Sequence, residues 1–146
     1  MSKAEDSFTA EQREQIVASI REAEGRTSGE IRLFIEDKCK EDALDRAAFI
    51  FKKLKMHETQ HRNGVLIYLA FASRKFAIIG DAGIHGKAHK DFWHDIKNEM
   101  QHHFVKGDFV TGLTSGIRMI GDALQKHFPH QKDDVNELPD DIVFGK

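Results

Sequence analysis

At 146 residues the chain is one domain's worth and long enough to bury a core. Hydrophobic residues make up 40% and charged residues 32%, with a net charge of -2 carried by interspersed signs. That balance excludes a disordered chain and gives no electrostatic basis for binding nucleic acid. The lone cysteine, Cys39, excludes an internal disulfide and a cysteine-rich zinc site.

The polar start, MSKAEDSFTAEQREQ, lacks the apolar core of a signal peptide. The first helix is announced by Thr9 with Gln12 three residues on, a capping-box spacing. Its apolar positions Ile16, Val17, Ile20 and Ala23 share one face, and Gly25 ends it. TSGE then turns into a strand, EIRLFIE, in which Ile31, Leu33 and Ile35 share one side while Phe34 points to a second covered face.

A second helix is expected from about Asp42 to Lys55, carrying Leu44, Ala47, Ala48, Phe51 and Leu54 at helical spacing. After a loop, VLIYLAFA is a continuous apolar run suited to the middle of a sheet. It is also the longest apolar run, and too short to span a bilayer, so the expectation is a cytoplasmic protein with no membrane insertion. SRK is short enough for a hairpin into a third strand, FAIIG, which DAGIHG breaks.

Two longer helices follow. The first carries Phe92, Trp93, Ile96, Met100 and Phe104; the second, past KGD, carries Leu113, Ile117, Ile120 and Leu124. Gly112, Gly116 and Gly121 lower helix propensity in the second, and close approach of its backbone to the sheet is the expected compensation. The acidic tail, 129–146, has one candidate edge strand, DIVFG.

The order of elements predicts an α/β fold: a three-layer α/β/α sandwich on a small mixed sheet. Strands one and two, joined through a helix, should be parallel, and strand three, joined by a hairpin, antiparallel. The chain reads as a single domain over 1–146, with its core at about 8–128.

This topology gathers polar residues that lie far apart in sequence. Strands one and two begin at one edge, with Glu30 and Asn63 at their starts, and strand three ends there at Asp81. The last helix returns Asp122 toward the same edge. Asp81, Glu30, Asn63 and Asp122 are therefore the candidate metal ligands, suited to an oxygen-loving cation such as Ca2+ or Mg2+. Arg62, His57 and His61 are candidates for the rim, Arg62 either as a phosphate holder or as a salt-bridge partner.

RNGVLIYLA, RKFAIIGDAGI and FVKGDFVTGLTSGIRMIG, with TSGEIR upstream, resemble the TPM domain, a family that includes thylakoid-lumen acid-phosphatase-like proteins linked to photosystem II repair. NELPD near the end is similar to the short, soluble branch. The resemblance covers about Phe8 to Phe128. It implies the same sandwich, a divalent-cation site at the loop edge with Asp81 and Glu30, and a weak phosphatase activity in the plant members. The expected function is thus a binding module for Ca2+ or Mg2+ with no assigned protein partner. The alternative is a weak metal-assisted acid phosphatase, in which the cation activates water and Arg62 holds the phosphate.

One motif points elsewhere. His57-Glu58-Thr59-Gln60-His61 spells HExxH, the zinc-protease signature. That chemistry needs both histidines on one helix face and a third ligand. Here the motif sits where a helix exits, with Asn63-Gly64 just beyond, and nine histidines make a chance match common, in roughly one chain of this composition in twenty-five. A zinc metalloprotease is the remote reading. His85 and His89, four residues apart, are a further pair that reads as solvated surface histidines.

Overall fold

The computed structural model describes residues 3–85, 90–130 and 140–145. The His85 and His89 pairing and all but the last residue of NELPD lie outside the described residues. Helix α1 (Lys3–Asp6) is one turn that the apolar periodicity does not signal. It is joined to α2 (Ala10–Glu24) by Arg13, whose guanidinium donates to the carbonyls of Glu5 at 2.9 Å and Phe8 at 3.0 Å. The α2 start is where Thr9 and Gln12 place it: each side chain accepts the other's backbone N–H, at 3.0 and 2.9 Å.

Strand β1 (Glu30–Glu36) is buried at every position. Helix α3 (Ala43–Lys53) starts on Asp42, whose carboxylate accepts the N–H groups of Leu44 and Asp45. It ends two residues before the expected point because Lys55 takes a left-handed conformation, φ 59°, ahead of a 3-10 turn at Met56–Glu58. Strands β2 (Gly64–Ala70) and β3 (Lys75–Gly80) form the hairpin. Helices α4 (Ala82–His85), α5 (Lys90–Val105) and α6 (Phe109–His127) follow, then a two-residue strand, β4 (Val143–Phe144).

The sheet order is β3-β2-β1-β4. β1 and β2 are parallel, with Glu30 opposite Gly64; β2 and β3 are antiparallel, with Val65 opposite Gly80; β4 adds a parallel edge beside Phe34 and Ile35. Ile31, Leu33, Ile35, Val65, Ile67 and Leu69 pack on α2, α5 and α6. On the other face Phe34, Leu66, Tyr68 and Ala77 meet Ala47, Ile50 and Phe51 of α3. This is the expected three-layer sandwich, with strand alternation assigning residues to layers.

The glycines of α6 correct one expectation. Its stripe Leu113, Ile117, Ile120 and Leu124 takes the core side, and the glycines face neighbouring helices rather than the sheet. A Cβ on Gly112 would lie 2.4 Å from Phe104 Cε1, on Gly116 2.5 Å from Met100 Sδ, and on Gly121 2.7 Å from Ala23 Cβ. Helix α6 is thus wedged between α5 and α2, and missing side chains on both flanks allow that close packing.

A charged group is built into the α3 face at the carboxyl end of β1. Buried Glu36 accepts two hydrogen bonds from Arg46, at 2.9 and 3.1 Å, and one from the Tyr68 hydroxyl. Tyr68 is fully buried, and burial first, then the Glu36 and Cys39 contacts, drives its pKa far upward.

Candidate functional site

Asp81 directly follows β3, and its N–H donates to the Gly64 carbonyl at 2.9 Å, extending the hairpin ladder by one bond. The preceding loop reverses at Arg62, which has φ 51°. From there the guanidinium grips Asp81 side-on: Nε to Oδ2 at 2.9 Å and Nη2 to Oδ1 at 2.9 Å. The Ala82 N–H donates to Oδ1 at 2.7 Å. Burial pushes the Asp81 carboxyl up, but the Arg62 and Ala82 hydrogen bonds, with the charges of Arg62 and His57, outweigh it and hold the pKa below the usual range.

The pair is asymmetric. Asp81 is 5% exposed, whereas half of the Arg62 side chain faces solvent. Beneath it the chain is closely packed: the Gly83 N–H donates to the Arg62 carbonyl at 2.9 Å. A Cβ on Gly83 would fall 2.4 Å from the His61 carbonyl oxygen and 2.6 Å from that of Arg62. Two carbonyls therefore crowd the glycine next to the Asp81 turn. His57 Nδ1 is buried there with no hydrogen-bond partner among the described residues, and the His61 side chain is exposed.

Glu30 and Asn63 share this sheet edge, joined by the Glu30 N–H to Asn63 carbonyl bond at 3.3 Å. Their side chains belong to other surroundings. Buried Asn63 turns its amide toward Ser28 Oγ, 3.5 Å away. Glu30 stands two strands from Asp81, roughly 10 Å along the hydrogen-bonding direction. Its charge acts instead on Glu24 and Arg32. Asp122 is not brought to Asp81 either: Arg26 holds its carboxylate at 2.6 Å, on a side chain that remains largely exposed.

Glu30 thus joins a second polar group, made by the end of α2, the start of β1 and the tail before β4. Glu24 Oε2 accepts the Ile31 N–H at 2.8 Å. Burial, then a hydrogen bond with Asp140 and the charges of Asp140 and Glu30, raise the Glu24 carboxyl to about 10. Arg32 is buried, and its Nε has no hydrogen-bond partner among the described residues. Burial lowers its pKa against the opposing charges of Asp141, Glu24, Asp140 and Glu30. Sequence reasoning missed Glu24, Arg32, Asp140 and Asp141. The signal was the alternation in EIRLFIE, which puts Glu30, Arg32 and Glu36 on one face of a fully buried strand.

The HExxH segment is not an α-helix. Its first two residues close the 3-10 turn, Thr59 is extended, and left-handed residues at Lys55 and Arg62 bracket it. The two imidazoles have no common helix face, which removes the geometry that the zinc reading needs. Among the described residues no three His, Cys, Asp or Glu side chains cluster as a metal cage. A cation at Asp81 would therefore take one carboxylate, backbone carbonyls and water, a donor set that a hard divalent ion accepts. No helix among the described residues is long and apolar enough to cross a membrane.

Comparison with known proteins agrees with this fold. The structure is similar to the NMR structure of the BA42 protein from the psychrophilic bacterium Bizionia argentinensis sp. nov., with 47% identity, a TM-score of 0.91, and coverage of 99% of this chain and 100% of that one. It is similar in fold to the solution NMR structure of the N-terminal domain of the cg2496 protein from Corynebacterium glutamicum, at 11% identity and a TM-score of 0.64, over 80% of this chain and 73% of that one. No curated protein sequence matches the chain. The TPM domain family matches residues 1–123. With most of the chain matched, a 47% identical structure covered along its whole length and the glycine-flanked Asp81 turn in its expected place, the chain belongs to the TPM domain family.

Proposed function

We propose that this TPM domain is a binding module for a divalent cation, Ca2+ or Mg2+, with Asp81 as the anchoring ligand and Arg62 as an exchangeable counter-ion. The observation that carries this reading is the asymmetric pair: a carboxylate only 5% exposed, whose counter-charge sits on a half-exposed side chain. Without the cation, Arg62 neutralises Asp81. With it, Arg62 releases the carboxylate, and the His61 and Arg62 carbonyls that crowd Gly83, two residues on from Asp81, are candidate further oxygens. Competition with a bidentate guanidinium keeps the affinity weak, in the millimolar range found for open, few-carboxylate calcium sites. The output of binding is a change in the 59–64 loop, since Arg62 is part of that loop and no longer ties it to Asp81.

The acid phosphatase reading uses the same edge but needs the Arg62 guanidinium for substrate phosphate. That guanidinium donates two hydrogen bonds to Asp81, so phosphate, like a cation, would have to compete with the existing pair. The test is an amide NMR titration with Ca2+ and with Mg2+. Saturable shifts at Arg62, Asn63, Asp81 and Gly83 are expected, lost in Asp81→Ala and occurring at lower metal concentration in Arg62→Gln. Shifts that persist in Asp81→Ala, or none at about 10 mM metal, would refute the assignment. An aryl phosphate turned over by the wild type and not by Asp81→Ala would favour the phosphatase instead.

A further inference from the structure

The sheet edge opposite Asp81, where β2 ends and β3 begins, holds a cavity of about 100 Å³ lined by Leu69, Arg74, Phe76, Gln101, Phe104, Val105 and Phe109. Its inner wall is fixed. Leu69 is 1% exposed, the Phe76 and Phe104 rings meet edge to face with centroids 5.0 Å apart, and Phe109 lies 5.5 Å from Phe104. At its mouth Val105 is 67% exposed beside these aromatic rings.

Arg74 at the mouth makes no side-chain hydrogen bond or ion pair among the described residues. It sits at φ 55°, a conformation that disfavours a side-chain-bearing residue and is held here by the turn around it. The Arg74 N–H donates to the Phe71 carbonyl at 3.3 Å, and Ser73 Oγ accepts the Cys39 N–H at 2.9 Å. The adjacent cation, Lys75, is turned away, donating to the carbonyls of Cys39 and Glu41 at 3.1 Å each. Of the two cations, Arg74 is the one that lines the cavity.

We propose that this cavity binds a short aliphatic carboxylate, with its chain among Leu69, Phe76, Phe104 and Phe109 and its carboxylate on the Arg74 guanidinium. Charge complementarity selects the head group, because an arginine fork matches two carboxylate oxygens and Gln101 supplies a second polar contact. Size selects the tail. A cavity of about 150 Å³ admits benzene, so this smaller one limits the tail to about four carbons. The site lies across the sheet from Asp81 and does not depend on the cation reading.

The experiment is an amide NMR titration of the full chain with pentanoate, 1-pentanol and acetate. Pentanoate should give saturable shifts at Leu69, Phe76, Gln101 and Phe109 by about 10 mM, with pentanol about tenfold weaker and acetate without effect there. Arg74→Gln, at an exposed position that leaves the fold intact, should weaken pentanoate about tenfold and leave pentanol unchanged. Val105→Trp, which closes the mouth, should weaken both. The proposal is overturned if pentanoate gives no saturable shift, if pentanol binds as tightly, or if Arg74→Gln leaves pentanoate affinity unchanged.

Discussion

Replacing Glu24 by glutamine should make the protein more stable at neutral pH. Glu24 ends α2 with its carboxyl beside Asp140, and Oε2 accepts the Ile31 N–H at 2.8 Å. Burial is the largest influence and raises the pKa from 4.5 to about 10; the Asp140 hydrogen bond and the charges of Asp140 and Glu30 add to it, and the Ile31 N–H opposes it. The folded protein therefore keeps Glu24 protonated at neutral pH, while the unfolded chain ionises it above 4.5. A folded-state pKa raised in this way gives stability that is complete below the unfolded value and is lost as pH rises toward the folded one. The slope is at most about 1.4 kcal/mol per pH unit. From 4.5 to neutral the ceiling is about 3.5 kcal/mol, which partial solvent access and proton sharing with Asp140 reduce to about 2 kcal/mol. Glutamine keeps an acceptor for Ile31, offers an N–H to Asp140 and has no charge to gain on unfolding. Urea denaturation of both proteins across about pH 5 to 8 should give curves that converge at the acid end and separate steadily above it, with Glu24→Gln the more stable. Parallel pH dependences, or a variant less stable at neutral pH, would refute the neutral-carboxyl reasoning.

The α6 glycines predict an ordered pair of effects in the same assay. Gly112→Ala meets the buried Phe104 ring and should destabilise by about 1–2 kcal/mol after the gain in helix propensity. Gly116→Ala meets the adaptable Met100 side chain and should cost less, so the reverse order would contradict the helix packing. Tyr68→Phe removes one donor to buried Glu36 while Arg46 remains, and should lower stability by about 1–3 kcal/mol. Because Asp81 titrates below its ordinary range, its contribution is present above the unfolded value of 3.8 and lost as pH falls through the folded one. Asp81→Asn should flatten that acid limb of the stability curve, and an unchanged limb would remove Asp81 from the pairing.

How far the sequence could be read followed the range of each signal. The capping box at Thr9, the apolar stripes of α2 and α6 and the run VLIYLAFA are local patterns, and each reappears at its expected element. Parallel and antiparallel pairing followed from connection type, because a crossover helix and a short hairpin permit few alternatives. What failed was lateral and side-chain detail. Periodicity identifies the face of α6 that meets the core but not which helices flank it, so the glycines were aimed at the sheet when their neighbours are Phe104, Met100 and Ala23.

The site divided for a related reason. Topology brings backbones to a common edge, and there the expectation and the structure coincide: Glu30, Asn63 and Asp81 lie on adjoining strand ends. Where each carboxylate points depends on its nearest counter-charge, which strand order does not specify. Arg62 captures Asp81, Arg26 captures Asp122, and Glu30 sits in the field of Arg32. These environments also separate the chemistry. Asp81 is held ionised by Arg62, the counter-ion that the proposed cation would displace; Glu24 is neutralised by burial beside Asp140. A cation titration should therefore act on the first corner, and a pH titration toward about 10 on the second, with little transfer between them because two strands stand between the carboxylates. Cation binding that shifted the Glu24 corner as strongly as the Asp81 loop would instead require one continuous site across the sheet edge.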